Sequence, residues 1–182
     1  QITLEKKSLD DEGLLKDEII PVTVKTRKGD VLVEDDEQPH NANIEKIPSL
    51  RAAFAKDGTI TAANASSISD GASALLLMRE SEAEARGLKP LARIVGHSTQ
   101  SQHPSEFTIA PVGAIENLFK KTGWTKADVD LYEINEAFAA QVIANLEAFK
   151  SDDFCKKAFG SKAIGQIDES ILNVNGGAIA LG

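Results

Sequence analysis

Asn135-Glu136-Ala137-Phe138-Ala139-Ala140 is the stretch that decides the fold, because the spacing of the apolar residues changes across it. Residues 130–134, just before it, alternate polar and apolar side chains, which predicts a β-strand. Beyond it, apolar residues repeat at the spacing of one helix face, at Phe138, Val142, Leu146 and Phe149. Asn135 is therefore predicted at the carboxyl end of a strand, where α/β sheets bind ligands. The alternative interpretation is an N-cap, whose side chain accepts a backbone hydrogen bond.

The remaining pattern predicts strands and helices in alternation. Strands are predicted at residues 18–24, 31–33, 74–78, 91–95 and 171–174, and helices at 9–16, 80–86 and 112–121. Pro21 indicates a sheet edge or a strand start, and the unbroken apolar run 74–78 predicts a fully buried strand. Residues 50–54 predict one helical turn, and residues 151–166 an irregular surface segment with one helical turn. This order of elements indicates an α/β protein.

The composition limits the classes of function. With 42% hydrophobic and 26% charged residues, the 182-residue chain is typical of a soluble globular protein. Its net charge of −8 argues against nucleic-acid binding, which needs a basic surface. No apolar run is long enough to span a bilayer, and the first residues lack the apolar core of a signal peptide, so we expect no membrane association. The single cysteine excludes an intrachain disulfide framework and suits a reducing compartment.

Two further segments complete a family pattern. Residues 59–72 read Thr-Ile-Thr-Ala-Ala-Asn-Ala-Ser-Ser-Ile-Ser-Asp-Gly-Ala, and residues 173–182 read Asn-Val-Asn-Gly-Gly-Ala-Ile-Ala-Leu-Gly. Together with the Asn-Glu-Ala-Phe segment, and in this order, they resemble the thiolases, most closely the acetoacetyl-CoA (acetyl-CoA acetyltransferase) branch. The resemblance covers nearly the whole chain.

The resemblance implies a fold and a domain arrangement. The fold is α/β, part of the layered α-β-α-β-α thiolase fold with its two similar halves, and we expect it to be incomplete at both ends. Residues 1–57 would be the end of the loop domain over coenzyme A, 58–90 the last part of the N-terminal domain, and 91–182 the first part of the C-terminal domain. Both catalytic cysteines and the histidine of the Gly-His-Pro motif are expected outside this chain.

The resemblance also implies a reaction and a catalytic role for Asn135. The reaction is the Claisen condensation of two acetyl-CoA to acetoacetyl-CoA, and the reverse thiolysis, through a cysteine thioester. An amide cannot act as a base near neutral pH, but it can donate a hydrogen bond to an oxyanion, directly or through water. In the family, the matching Asn holds a water that stabilises the enolate together with the Gly-His-Pro histidine.

The family likeness assigns coenzyme A contacts to this chain. Ser66 would hydrogen-bond the coenzyme, Lys46 and the residues before it would contact the nucleotide, and Phe138 would flank the pantetheine tunnel. The full set is Ser66, Lys46, Asn41, Ala42, Asn43, Ala137 and Phe138. Read without the likeness, Ser66 is a turn hydroxyl and Lys46 a solvated charge. The family usually has an Arg where this chain has His40 or Asn41.

A potassium site is the remaining site that the likeness implies. Backbone carbonyls bind the ion in the mitochondrial type of thiolase, and carbonyl oxygen suits such a hard cation. The matching residues are Ala62, Ala63, Ala65 and Ile179. No other cofactor is expected besides coenzyme A thioesters as substrates.

The cysteine and two of the histidines are weaker candidates for catalytic or metal-binding residues. Cys155 lies between acidic and basic neighbours and matches neither family cysteine, so we interpret it as incidental. His97 and His103 lack the spacing and companions of a metal pair, and His103-Pro104 lies in the wrong place for the catalytic His-Pro.

Partners and alternatives follow from the resemblance. Acetyl-CoA and acetoacetyl-CoA are the expected substrates, and a homodimer or homotetramer the expected assembly of the intact protein. The expected location is cytoplasmic, or mitochondrial in a eukaryote. The chain alone is expected to be inactive. A non-catalytic thiolase-like subunit that binds acyl-CoA or lipid, or serves as a scaffold, is the main alternative. A β-ketoacyl synthase ranks lower, because that group lacks the Asn-Glu-Ala-Phe pattern.

Overall fold

The computed structural model describes residues 13, 16–35 and 37–181. Contacts within the chain divide it into two compact units. The first unit holds the described residues up to Ile68, then Leu131–Ile143 and the segment from Asp168 onward. The second unit holds Ser69–Asp130 and Ala144–Ile167. The three domains proposed from the sequence have different boundaries and stay a prediction.

A β-hairpin begins the described part of the first unit. Strand β1 (Val22–Thr26) pairs antiparallel with β2 (Gly29–Val33), and β1 starts directly after Pro21, where proline needs no ladder hydrogen bond. Gly29 has a φ of 119°, which only glycine adopts without strain, and the Thr26 hydroxyl donates to the Gly29 carbonyl at 2.7 Å. The predicted strands at this position are thus confirmed, with β1 displaced along the chain.

Six α-helices lie within the described residues, and they include the two that the sequence predicted at residues 80–86 and 112–121. They are α1 (Glu37–Asn41), α2 (Glu80–Ala85), α3 (Ala110–Thr122), α4 (Ala139–Lys150), α5 (Asp152–Phe159) and α6 (Ala178–Leu181). Short 3₁₀ turns lie at Lys16–Glu18, Ile44–Ser49, Phe107–Ile109, Lys126–Asp128 and Glu169–Ile171. No helix within the described ranges is long and apolar enough to cross a bilayer.

Helices α3 and α5 contribute to the core of the second unit. Proline occupies the first turn of α3, and Gly123 ends it in a left-handed conformation with its N–H on the Phe119 carbonyl. In α5, the Ser151 side chain caps the first turn. The fully buried side chains of this unit are Val112, Asn145, Phe149, Cys155 and Ile167.

Several predicted elements are wrong. Residues 74–78 form no strand in the described structure, and Leu75 and Leu76 are 83% and 82% exposed. Residues 91–95 also form no strand. An extended segment needs a neighbouring strand to satisfy its backbone groups, and these two segments pair with none of the described residues.

Smaller corrections concern the helices. Residues 50–54 make no helical turn, whereas the segment predicted to be irregular after residue 151 contains the two-turn helix α5. Helix 80–86 is confirmed to within one residue, and helix 112–121 is confirmed inside α3. The predicted helix at 9–16 lies mostly outside the described residues.

Candidate functional site

An extended segment carries Asn135 in the first unit. Tyr132, Ile134 and Glu136 are buried, while Glu133 and Asn135 are exposed, which is the alternation of a strand. The segment pairs in parallel with a second segment only at Tyr132 and Leu172. The predicted strands at 130–134 and 171–174 are therefore reduced to one bridge. Its two backbone hydrogen bonds, Tyr132 N–H to Ile171 O and Asn173 N–H to Tyr132 O, are each 2.8 Å long.

The side chain of Asn173 continues this bridge toward Asn135. Its Oδ1 accepts from the Ile134 N–H at 2.8 Å, and its Nδ2 donates to the Ile134 carbonyl at 2.9 Å. The same Nδ2 donates to Glu136 Oε1 at 2.8 Å. Asn173 is 8% exposed and Glu136 3% exposed, so these bonds are shielded from water. One buried amide thus holds the residue on each side of Asn135.

A second loop ties down the chain after Asn135. Ala65 pairs antiparallel with Phe138. The Ser66 N–H donates to the Ala137 carbonyl at 2.9 Å, and the Ala139 N–H donates to the Asn64 carbonyl at 3.0 Å. The structure therefore brings together Ser66, Ala137, Phe138 and Asn135, which the sequence separates by about seventy residues (positions 66 and 135).

The Asn64 side chain shapes this loop. Its Oδ1 accepts from the Thr61 N–H at 2.7 Å, and its Nδ2 donates to the Thr59 carbonyl at 2.9 Å. These bonds close a turn that presents residues 64–66 to the segment after Asn135.

Asn135 is not an N-cap. Helix α4 begins at Ala139, four positions after Asn135, and the side chain of Asn135 is exposed. It makes no hydrogen bond with another residue in the described ranges. Its amide is available to a ligand or to water, and the extended backbone that carries it is held on both sides.

The sequence profile called "Thiolase, N-terminal domain" matches residues 5–81, and "Thiolase, C-terminal domain" matches residues 88–182, which is more than half of the chain. The chain belongs to the thiolase family.

Relatives and solved structures agree with this assignment. This thiolase chain is 48% identical over 171 residues to an acetyl-CoA acetyltransferase of Rhizobium meliloti, covering 93% of this chain and 39% of the relative. It is 46% identical to an acetyl-CoA acetyltransferase of Paracoccus denitrificans, covering 93% of this chain and 40% of that relative. The chain thus spans about 40% of the length of these curated relatives.

Solved thiolases share the fold. A Bacillus anthracis acetyl-CoA acetyltransferase superposes with a TM-score of 0.77 at 36% identity, over 100% of this chain and 45% of that one. Human mitochondrial 3-ketoacyl-CoA thiolase superposes with a TM-score of 0.73 at 38% identity, over 100% of this chain and 42% of that one. The α/β thiolase fold predicted from the sequence is confirmed.

The residues predicted to contact the nucleotide lie on the surface of the first unit. Asn41, Ala42, Asn43 and Lys46 are all exposed. The Asn43 side chain caps the 3₁₀ turn Ile44–Ser49 by accepting from the Lys46 N–H at 3.2 Å. These residues are exposed at and just after the end of α1.

Ser67 links this surface to the loop that carries Ser66. The Ser67 hydroxyl donates to Gln38 Oε1 in α1 at 3.0 Å. Because α1 ends at Asn41, this bond connects the loop of the predicted coenzyme A serine to the helix that leads into the predicted nucleotide contacts.

An aromatic pair lies beside the Asn135 segment. The rings of Phe54 and Phe138 meet edge to face, with centroids 5.8 Å apart. Phe54 is 75% exposed although it touches Phe138, so one ring surface is open to a ligand. The sequence pointed to Phe138 but missed Phe54, because its partner is more than eighty positions away.

The residues predicted to bind potassium have carbonyls of the required kind. Residues 62, 63 and 65 lie in the turn that Asn64 closes, and Ile179 is buried in α6 of the same unit. Among the described residues, the backbone hydrogen bonds of this turn use the carbonyls of Thr61 and Asn64, and none uses those of residues 62, 63 and 65. The donor chemistry fits a hard cation.

Two residues were misjudged or missed in the sequence. The role of Glu136 was missed: it precedes α4 and is buried against Asn173. The role of Asn173 was missed. Its only local signal is that Asn is one of the few residues other than glycine that tolerate positive φ, and here φ is 47°.

Cys155 is a poor nucleophile in this thiolase chain. It is fully buried in the second unit, and its Sγ contacts the Ala148 carbonyl at 3.4 Å. Burial above all, with Glu116 and Asp152 adding negative charge, raises its pKa to about 12. A thiol must ionise to attack a thioester, so this geometry supports the interpretation of Cys155 as incidental.

Proposed function

We propose that the whole protein to which this chain belongs is an acetyl-CoA C-acetyltransferase. It condenses two acetyl-CoA to acetoacetyl-CoA and catalyses the reverse thiolysis through a cysteine thioester. The observation that carries the proposal is the exposed Asn135 amide on a segment held by Asn173 on one side and by the Ser66 loop on the other. The names of the relatives support this reaction class.

In the proposed mechanism, Asn135 stabilises negative charge. When a base removes the α-proton of acetyl-CoA, charge develops on the thioester oxygen. The Asn135 Nδ2 donates a hydrogen bond to that oxygen, directly or through one water, and takes up no proton. Because the backbone is held before the substrate arrives, little reorganisation accompanies the reaction.

Binding of coenzyme A would use the surrounding surface. The Ser66 hydroxyl is half-buried beside Ala137, where it can hydrogen-bond the pantetheine arm. The exposed ring of Phe54 with Phe138 offers an apolar wall for that arm. Lys46 would supply positive charge to a phosphate, and Asn41, Ala42 and Asn43 would contact the nucleotide.

Potassium and oligomerisation are further parts of the proposal. The carbonyls of Ala62, Ala63, Ala65 and Ile179 would hold a potassium ion that stiffens the turn before Ser66. The intact enzyme would be a homodimer or homotetramer in the cytoplasm, or in the mitochondrion of a eukaryote. We expect the chain alone to be inactive, because its one cysteine, Cys155, is buried and matches neither family cysteine.

A chimera tests the proposal. The matching 171-residue segment of the Rhizobium meliloti enzyme is exchanged for this chain, and acetoacetyl-CoA thiolysis is measured. We expect turnover, and we expect Asn135→Ala to lower kcat by about 10²–10³-fold, as for the loss of one oxyanion donor. Lys157→Ala, at an exposed position of α5, is the control and should leave kcat unchanged. A folded chimera without turnover, or an unaffected Asn135→Ala variant, would contradict the proposal.

A further inference from the structure

We propose that Asn173 is a positioning residue for Asn135, an inference that rests on the proposed function. Asn173 is buried and bonds the buried Glu136, whereas the Asn135 amide is exposed, so Asn173 does not need to touch substrate. It holds Ile134 and Glu136, the two residues that flank Asn135, and so fixes the direction in which the Asn135 side chain leaves the backbone.

The Asn173 amide is complementary to the backbone of Ile134. Its oxygen accepts from the Ile134 N–H at 2.8 Å, and its nitrogen donates to the Ile134 carbonyl at 2.9 Å. This pair reproduces with a side chain the two hydrogen bonds that a neighbouring strand would give. No other common side chain of this length offers both a donor and an acceptor in one plane. The Ile134 carbonyl belongs to the peptide that joins Ile134 to Asn135, so the bond fixes the plane of that peptide.

Asn173 also anchors the side chain of Glu136. Its Oε1 accepts from Asn173 Nδ2 at 2.8 Å, and the residue is 3% exposed. The same carboxyl group lies close to Gly177, where an added Cβ would overlap it. The hydrogen bond to Asn173 and the close approach to Gly177 together hold the Glu136 carboxyl group in place. Because Glu136 points inward, Asn135 must point outward.

The backbone conformation of Asn173 allows glycine to replace it. Asn173 has a φ of 47°, in the left-handed region that glycine adopts freely and asparagine tolerates. The substitution Asn173→Gly therefore keeps the backbone of the bridge to Tyr132 and removes only the side-chain amide. This variant therefore distinguishes the effect of the Asn173 side-chain amide on Asn135 from the effect of the Asn173 backbone conformation.

The test is a double-mutant cycle in the chimera. Asn173→Gly should lower kcat about tenfold when Asn135 is present, and by less than about twofold in the N135A background, because coupled residues are not additive. The KM for acetoacetyl-CoA should change little. The matched control Asn175→Gly removes an exposed amide from the same loop and should change neither constant. An equal loss in both backgrounds would overturn the positioning role. No effect of N135A alone would instead overturn the proposed function.

A second measurement needs no activity. Amide hydrogen exchange in this chain compares Ile134, whose N–H is bonded to the Asn173 side chain, with Tyr132, whose N–H is bonded to the Ile171 backbone. Asn173→Gly should speed exchange at Ile134 by about tenfold or more, as expected for the loss of one buried hydrogen bond, and leave Tyr132 nearly unchanged. Equal acceleration at both amides would mean that the substitution loosens the whole unit, and would overturn the inference.

Discussion

Replacing Gly177 by alanine should destabilise the first unit through a single collision. The added Cβ would overlap the Cδ and both carboxyl oxygens of Glu136, and Gly177 is itself buried. The backbone of Gly177 is outside the left-handed region, so alanine adds no conformational strain and the effect is purely steric.

The size of the effect follows from what Glu136 would lose. Glu136 is 3% exposed and bonded to Asn173 at 2.8 Å, so it cannot swing into solvent without breaking that bond. Overpacking in a well-packed site costs about 1–3 kcal/mol, and a lost buried hydrogen bond costs roughly 1 kcal/mol more. We expect G177A to lower the free energy of unfolding of the first unit by about 2–4 kcal/mol.

Urea unfolding of the chain measures this loss. Tyr132, the sole tyrosine, reports on the first unit through its second-derivative absorbance, and Trp124, the sole tryptophan, reports on the second unit through fluorescence. With a slope of about 1–3 kcal/mol per molar urea, the Tyr132 midpoint should fall by about 0.7–4 M. The Trp124 midpoint should move less.

Two controls test whether the collision with Glu136 causes the loss of stability in G177A. Gly71→Ala adds a Cβ into open space and should be neutral within about 0.5 kcal/mol. In a Glu136→Ala background, G177A should cost little, because the carboxyl group that it strikes is gone. An unchanged Tyr132 midpoint in G177A, or the same loss with and without Glu136, would refute the collision.

Two other predictions follow from single residues. The pKa of the Cys155 thiol is raised to about 12 from 9.0, so the protonated thiol stabilises the fold fully below pH 9, and this stability is lost as the pH rises toward 12. The urea midpoints of the wild type and of Cys155→Ala should therefore converge over that pH range. Parallel pH profiles of the two midpoints would contradict this pKa assignment. Ser66→Ala in the chimera should raise the KM for acetyl-CoA about 3–10-fold with a smaller change in kcat, as expected for one lost hydrogen bond. Initial-rate kinetics measure both constants. An unchanged KM would argue that Ser66 only shapes its turn.

Local signals made some elements predictable. Pro21 and the turn residue Gly29 signal the two strands of the hairpin, the apolar spacing and Gly123 signal helix α3, and the helix formers and Gly87 signal α2. In each case the deciding residues lie within a few positions of the element, because proline and glycine restrict or extend the local backbone conformations.

Segments that depend on distant partners were predicted less well. An unbroken apolar run at residues 74–78 favours a buried strand only when another strand is available to pair with it, and within the described part of the chain these residues pair with none. The helix after Asn135 starts only at Ala139, because hydrogen bonds from the 64–66 loop to the Ala137 carbonyl and the Ala139 N–H hold Phe138 in a bridge with Ala65. Here long-range pairing prevailed over helical periodicity.

The sequence by itself determined the family and the α/β fold, and it pointed to Asn135 after an extended segment, because three short motifs and their order are readable along the chain. Only the tertiary structure decided which residues support Asn135. The Asn173 amide, the buried Glu136, the crowded Gly177 and the pairing of Ala65 with Phe138 join positions that are tens of residues apart. Hydrogen bonds and steric contacts depend on distance in space, and separation along the chain does not encode that distance.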